Sequence, residues 1–557
     1  MGIPIDKITE ACDRFPKQQG VTFSYGTAGF RTKGATLAST LLRVGMLAVL
    51  RSKKLDGRTI GVMITASHNP AEDNGAKLID PRGEMLDPTW EAYATTVANA
   101  ETASDLLKAL TQLVDSLKID LTKSSSVICG RDTRPSGNEL NDALQMGIKA
   151  MGQETVELVD LGVVTTPCVH YAVKSRNLKG EERKAYGEPT LEGYLSKIAD
   201  AFNQLMTGRQ STSSLVIDCA NGVGFSALEI LKPMISSSLP IELVGTNIDD
   251  PAALNSNCGA DYVKTGQRLP PAMTDILKPG QRACSLDGDA DRVVFYYLTT
   301  GSHNAPEAGG QVQTEGKFRL LDGDKIATLA AGYIGDLVKQ AGLGDKLKIG
   351  VVQTAYANGS STAYLRNAGL PVRCVPTGVK HLHHAAERYD IGVYFEANGH
   401  GTVLFSPETI DILAQFEPST PAQDTAAKQL RGLISLINQA VGDAISDFLL
   451  VEVILAHKRW GPEEWDAGYE DLPNRLLKVS VADRNAFKTE DAERKLTSPE
   501  GMQAELDELT RKFEKGRSFV RPSGTEDCVR VYAEASTEPG AIQLGKAVQD
   551  LVERYSS

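Results

Sequence analysis

Short runs of β-branched and aliphatic residues recur along most of the chain, each followed by a polar turn and then by residues at helical spacing. Thr59 to Ile64 is such a run, and Leu215 to Cys219, Ile349 to Gln353 and Val372 to Val375 repeat the theme. Strands separated by helices pair in parallel, which commits this part of the chain to α/β units. Three such blocks precede residue 445. Beyond it the pattern changes: strand-like Leu449 to Leu455, Leu476 to Val481 and Cys528 to Ala533 alternate with helical segments at 499–515 and 541–555. That reads as a smaller α+β domain. The 557 residues exceed what one hydrophobic core holds, since cores stop growing at about 250–300 residues. The charged stretch 174–190 and the polar, glycine-rich stretch 299–317 mark two boundaries.

Composition narrows the function classes. With 41% hydrophobic and 23% charged residues, neither a disordered nor a membrane class is favoured. The apolar stretch at 41–50 is broken by Arg43 and is too short to span a bilayer. A net charge of −12 argues against a nucleic-acid partner. An anionic small molecule stays possible if positive charge is concentrated locally. None of the eight cysteines forms a C-x-x-C pair, so they are expected as buried, reduced thiols. Met-Gly-Ile-Pro-Ile-Asp at the start has no apolar signal core, and Asp6 stands where a myristoylation motif has Ser or Thr. A soluble, cytoplasmic protein without a membrane partner is expected; the oligomeric state is not set by the sequence.

Four motifs carry chemistry. Thr65-Ala-Ser-His-Asn-Pro70 places Ser67 beside His68 at a strand exit, on a turn. Its hydroxyl could accept a phosphoryl group, and the same residues would also fit an ordinary strand exit. It is not a G-x-S-x-G elbow, so a hydrolase triad is unsupported. In Asp287-Gly-Asp-Ala-Asp-Arg292, alternate residues of an extended segment would bring Asp287, Asp289 and Asp291 to one cation. Three carboxylates leave room for water or a phosphate oxygen, which suits magnesium. An EF-hand fits poorly, because its sixth and twelfth positions hold Arg292 and Leu298.

Phe395-Glu-Ala-Asn-Gly-His400 ends a strand-like run and groups Glu396, Asn398, Gly399 and His400 on one loop. Carboxylate, amide and imidazole suit sugar hydroxyls; a polar hairpin tip would look the same. In Arg521-Pro-Ser-Gly-Thr-Glu-Asp527, Ser523, Gly524 and Thr525 could cradle a phosphate, with Arg521 forking onto it and Arg530 nearby. A capped turn is the plainer reading of those residues. The segment Thr377-Gly-Val-Lys-His-Leu-His-His384 completes no zinc pattern, and Lys380 and His381 are better read as facing substrate. Asn221-Gly-Val-Gly224 lacks the full dinucleotide fingerprint and reads as a tight strand-to-helix turn.

Together and in this order, the four motifs resemble the α-D-phosphohexomutase superfamily. Tyr25-Gly-Thr-Ala-Gly-Phe-Arg31, Gly130-Arg-Asp-Thr-Arg-Pro-Ser-Gly137 and the strand at Val216 to Asp218 extend the match to roughly residues 20–550. In most such mutases the G-R-D-x-R-x-S-G segment precedes the serine motif. Here Ser67 comes first, an order that looks like the phosphoacetylglucosamine mutases, as does the Glu-Ala-Asn-Gly-His wording.

The resemblance implies three related mixed α/β domains plus a smaller C-terminal α+β domain around a central cleft, here at 1–180, 181–303, 304–445 and 446–557. It implies interconversion of N-acetylglucosamine 6-phosphate and N-acetylglucosamine 1-phosphate, feeding UDP-N-acetylglucosamine synthesis. The expected route is a phosphoserine at Ser67 and a 1,6-bisphosphate, with sugar 1,6-bisphosphate as primer. Mg2+ would be held by Asp287, Asp289 and Asp291 together with Ser67. Arg31, Lys77 and Arg292 are the motif-matched cations for the transferring phosphate, with His68 beside the serine. Arg31 or His400 would take the sugar hydroxyl proton.

Two other readings compete. Asp289-Ala-Asp-Arg-Val293 fits the D-x-D-x-V pattern of haloacid-dehalogenase-like phosphotransferases, with Asp289 as nucleophile. That reading leaves Ser67 and Arg521 to Thr525 unexplained. A non-catalytic sugar-phosphate sensor would have no need of every chemical position, yet all are present.

Overall fold

The computed structural model of the chain describes residues 2–152, 156–211, 213–300, 316–523 and 528–556. It divides into two compact units, one of residues 1–320 and 432–462, the other of 321–431 and 463–557.

The first unit holds two sheets. In one, β1 (Phe30–Lys33), β2 (Thr59–Ile64), β3 (Asp73–Ile79), β4 (Ser125–Arg131) and β5 (Val156–Val163) lie in the order β1-β3-β2-β4-β5. β2, β4 and β5 run parallel, and β3 turns back antiparallel on β2. Every residue of β2 is buried, which is why its sequence is an unbroken apolar run rather than an alternation. The second sheet contains β6 (Leu215–Asp218), β7 (Ile241–Val244), β8 (Arg282–Leu286), β9 (Val293–Leu298) and β10 (Phe318–Leu321), in the order β10-β9-β8-β6-β7. Again three strands are parallel, and β9 returns antiparallel on β8.

The other unit repeats the scheme once. β11 (Ile349–Gln353), β12 (Val372–Cys374) and β13 (Ile391–Phe395) are parallel, and β14 (Gly401–Phe405) is antiparallel to β13. Its last sheet is antiparallel: β15 (Asn474–Ser480) and β18 (Arg517–Pro522) flank β19 (Cys528–Glu534), beside a ribbon of β16 (Lys488–Glu490) and β17 (Lys495–Ser498). Helix Glu538–Ser556 lays Leu544, Val548 and Leu551 on Val479 and Val531 of this sheet.

Three sheets therefore share one layout: three parallel strands, then a hairpin. The hairpin loops β2–β3, β8–β9 and β13–β14 are the serine, aspartate and Glu396 motifs. Within these shared strands the first sheet differs in chain order. Its hairpin precedes the central strand β4, whereas β6 and β11 precede theirs. The inverted motif order in the sequence is thus a reordering of connections around an unchanged strand arrangement.

One expected strand is a helix. Leu449 to Leu455 lie within helix Ala444–Lys458, buried through most of its length. A short apolar run carries no period that separates strand from buried helix. The available signal was Asp443, whose carboxylate caps the N–H groups of Ile445 and Ser446 at 3.0 and 3.2 Å.

Candidate functional site

Strand β2 delivers the chain to Ser67, which is 1% exposed. Ser67 takes a left-handed backbone conformation, φ 53°, which costs a residue with a Cβ roughly 1–2 kcal/mol. Its N–H donates to Thr65 Oγ1 at 2.9 Å, and its Oγ donates to Asp287 Oδ2 at 2.6 Å. The serine loop of one sheet and the aspartate loop of the next thus meet within one unit.

Asp287, Asp289 and Asp291 are buried, and one carboxylate oxygen of each lies within 4.8 Å of the others. The extended alternation expected of this segment is not how they converge: residues 288–290 form a turn, and Ala290 is left-handed with φ 58°. Gly288 is required by packing. A Cβ there would stand 2.8 Å from Ser67 O and 2.8 Å from Asn255 Nδ2.

Asp287 Oδ1 accepts from the N–H groups of Asp291 and Arg292 at 3.0 and 3.1 Å. Burial, and then the carboxylates of Asp291 and Asp289, push its carboxyl well above the usual range, against the pull of Arg292 and Ser67. Asp289 Oδ2 accepts from Thr166 Oγ1 at 2.7 Å, while its Oδ1 is buried with no hydrogen-bond partner among the described residues. An orphaned oxygen within three crowded carboxylates is the donor set a hard divalent cation takes. These residues fit magnesium.

Cations line the same place. Lys77 Nζ lies 3.1 Å from Asp291 and 3.4 Å from Asp289. Burial opposes its charge, yet those two carboxylates outweigh burial and hold the ammonium above its ordinary range. Arg292 Nε stands 3.7 Å from Asp291 and 3.9 Å from Asp287. Arg31 on β1 reaches Asn69 Oδ1 at 3.4 Å, and its Nε is buried with no hydrogen-bond partner among the described residues. Burial first, then Arg292, lower its pKa. His68 has Nδ1 3.5 Å from Ser67 Oγ. Its pKa is pushed down to about 2 by Arg292, then by burial and Arg31, so the ring is neutral.

In the other unit, Glu396, Asn398, Gly399 and His400 form the β13–β14 loop. Asn398 Oδ1 accepts from the His400 N–H at 3.0 Å, and its Nδ2 faces Glu396 Oε2 at 3.5 Å. Gly399 is left-handed, φ 87°. Helix Val379–Ala386 presents a buried Lys380 and an exposed His381. Its other imidazoles are engaged locally: His383 with Tyr394 Oη at 3.1 Å and His384 with Glu387 at 3.0 Å.

Arg521 is gripped by Glu493 at 2.8 Å and by Tyr356 Oη at 3.0 Å. Register places it opposite Arg530 on β19, which in turn faces Lys478 on β15. Arg521, Arg530 and Lys478 therefore lie in one row across the sheet, with Glu493 paired to Arg521. The Ser523 N–H donates to Cys528 O at 2.9 Å. Gly524 and Thr525 lie outside the described residues.

Sequence reasoning missed several of these groups. Lys478, Tyr356 and Glu493 sit in no motif, and only strand register sets Lys478 beside Arg530, the residue opposite Arg521. Arg134 was inside a motif but had been given no task. Its partner at the serine loop, Asn255, had no local signal at all.

Comparison with known proteins adds independent findings. Family models described as phosphoacetylglucosamine mutase AMG1, domain II and domain III, match residues 188–294 and 322–460. Models of the phosphoglucomutase/phosphomannomutase α/β/α domain I and C-terminal domain match 46–181 and 476–550. The human phosphoacetylglucosamine mutase is 47% identical over 548 residues, covering 97% of this chain and 96% of that protein. The crystal structure of Aspergillus fumigatus N-acetylphosphoglucosamine mutase with GlcNAc-6P and magnesium is 49% identical with a TM-score of 0.92, covering 100% of both chains. Another structure of that enzyme, a variant in complex with glucose 1,6-bisphosphate, gives the same identity and TM-score, again over 100% of both chains.

Proposed function

This chain belongs to the phosphoacetylglucosamine mutase family of the α-D-phosphohexomutases, and from that premise we propose that it interconverts N-acetylglucosamine 6-phosphate and N-acetylglucosamine 1-phosphate through phosphate carried on Ser67. The observation that carries the reading is the buried Ser67 hydroxyl, 2.6 Å from Asp287 at the convergence of three carboxylates.

Phosphoryl transfer asks for positioning and charge more than for covalent work by the protein. As the bond from phosphorus to Ser67 Oγ breaks, a bond forms to the free hydroxyl of the sugar monophosphate. The hydroxyl proton passes to a base, for which Arg31 or His400 is the candidate. The resulting 1,6-bisphosphate returns its other phosphate to Ser67, which restores the enzyme and releases the isomer. A sugar 1,6-bisphosphate therefore also primes an unphosphorylated chain. Arg31, Lys77 and Arg292 bring positive charge to the phosphoryl oxygens, and His68 stays neutral beside them. Asp287, Asp289 and Asp291, with Ser67, would hold Mg2+, which supplies Lewis-acid charge at a phosphoryl oxygen.

Glu396, Asn398, Gly399 and His400 read the sugar ring, with Lys380 and His381 facing the same substrate. Arg521, Ser523, Gly524, Thr525 and Arg530 hold the phosphate that is not reacting. The row of Lys478, Arg530 and Arg521 supports this. Asp289 is the weaker candidate for the phosphate carrier, because that reading leaves Ser67 and the Arg521 to Thr525 loop without a task, and its Oδ2 already accepts from Thr166 and Lys77.

The domain division extends the same proposal as 1–180, 181–303, 304–458 and 459–557: the expected junction at 445/446 moves to the end of helix Ala444–Lys458 because that helix is continuous, and the junction at 303/304 lies outside the described residues. Among the described residues no helix is long and apolar enough to cross a membrane, and all eight cysteines are unpaired. Free thiols support a cytoplasmic setting, where the 1-phosphate product would feed UDP-N-acetylglucosamine synthesis. The test is turnover of N-acetylglucosamine 6-phosphate with magnesium: Ser67→Ala should abolish it while the fold is kept, and near-normal activity would overturn the reading.

A further inference from the structure

The Gly130 to Gly137 motif has no task in the reaction as derived so far. Resting on that mechanism, we infer that Arg134 from this motif and Asn255 from the second sheet's side are positioning residues that clamp the backbone of the serine loop from two sides.

The guanidinium of Arg134 is buried and uses its donors on the main chain around Ser67. Nη2 donates to Ser67 O and Asn69 O, both at 2.8 Å. Nη1 donates to Asp73 O at 2.9 Å and also to Pro70 O. Nε donates to Asp132 Oδ2 at 2.9 Å. Asn255 approaches the same two carbonyls from the other side, donating Nδ2 to Ser67 O at 3.0 Å and to Asn69 O at 3.2 Å. Each of these carbonyls thus receives two donors, which is all its lone pairs accept.

Charge separates this clamp from the phosphate-facing cations. Arg134 is neutralised by Asp132, with both side chains fully buried. Asp132 also accepts from Thr65 Oγ1 at 2.7 Å, the same oxygen that receives the Ser67 N–H. The pair therefore supplies directed hydrogen bonds and little net charge. What those bonds fix is the left-handed backbone of Ser67. A return to the right-handed region would swing Oγ away from Asp287. Asn255 is itself fixed: it is left-handed, φ 56°, and its N–H donates to Ala220 O at 3.0 Å.

A positioning role predicts a split between kcat and KM. Phosphate uptake by Ser67 from glucose 1,6-bisphosphate is followed in a single-turnover assay, beside steady-state kinetics on N-acetylglucosamine 6-phosphate. Asn255 is only half-buried, so Asn255→Ala and the near-isosteric, uncharged Asn255→Leu, neither of which has the donors, should both fold with at most a modestly lowered melting temperature. Both should slow phosphate uptake and kcat about tenfold, with KM within about twofold, and Arg134→Lys should slow them about a hundredfold, the scale of a reacting group displaced by a fraction of an ångström to 1 Å. The Asn255 variants carry the test should Arg134→Lys not fold. Because both residues hold the same carbonyls, the double variant should lose less than the product of the two single losses. Wild-type uptake rates in both Asn255 variants, or a raised KM with unchanged kcat, would overturn the clamp. Absence of phosphate on wild-type Ser67 would instead overturn the mutase reading, and the clamp with it.

Discussion

A single methyl group at Gly288 tests how tightly the two catalytic loops are fitted. In Gly288→Ala the new Cβ would lie 2.8 Å from the Ser67 carbonyl oxygen, 2.8 Å from Asn255 Nδ2 and 3.1 Å from Leu254 Cδ1. The first of these is backbone that Arg134 also holds, so it cannot rotate out of the way. Relief requires the aspartate loop and the serine loop to part by about half an ångström, the shortfall from ordinary van der Waals contact. A shift of 1 Å at a reacting centre costs about a hundredfold, so half of that predicts roughly a tenfold fall in kcat. The groups assigned to the sugar and the distal phosphate are untouched, so KM for N-acetylglucosamine 6-phosphate should stay within about twofold. Overpacking of this kind should also cost about 1–3 kcal/mol of stability, visible as a lower melting temperature. Steady-state kinetics at saturating magnesium on a variant that still melts cooperatively is the assay. A kcat within twofold of wild type would show that the loops tolerate displacement, and the close-fit argument would fail.

Glu396→Ala should lower kcat/KM at least about tenfold, because an unpaired buried partner costs about 1–3 kcal/mol; no change in either constant would make the loop structural. Arg521→Ala should chiefly raise KM, by about tenfold or more on the scale of a charged hydrogen bond worth about 1.5–3 kcal/mol. An unaltered KM for both monophosphate isomers would place the non-reacting phosphate elsewhere. Glu452→Ala concerns stability alone: Glu452 and Arg282 form a fully buried ion pair, joined through Nε at 2.6 Å. Removing one partner leaves a buried charge and should cost about 3–5 kcal/mol, measured as a lower urea midpoint; an unchanged midpoint would refute that.

The parts of the fold legible in the sequence were those with a local signature. Buried strands such as β2 and β13 read as apolar runs, and the loops beyond them read as motifs because each is a hairpin turn of polar and small residues. Helix Ala444–Lys458 was misread because burial removes the polar face from which period is judged. The site divided along the same line. Ser67 and the three aspartates stood out because their residue types are chemically committed. The mode of convergence did not, since a left-handed Ala290 leaves no mark on a sequence of alternating aspartates. Asn255 and Lys478 were invisible because their roles come from pairing across sequence separations of 188 residues and across strand register.

The claim on which the rest depends is that Ser67 carries the phosphate. Incubating the protein with magnesium and glucose 1,6-bisphosphate labelled in its phosphates, quenching, and locating the label by peptide mass spectrometry tests it most directly. The account predicts label on Ser67 that is discharged by added N-acetylglucosamine 6-phosphate and absent from Ser67→Ala. Label on Asp289, or turnover with no phosphorylated residue at all, would contradict it.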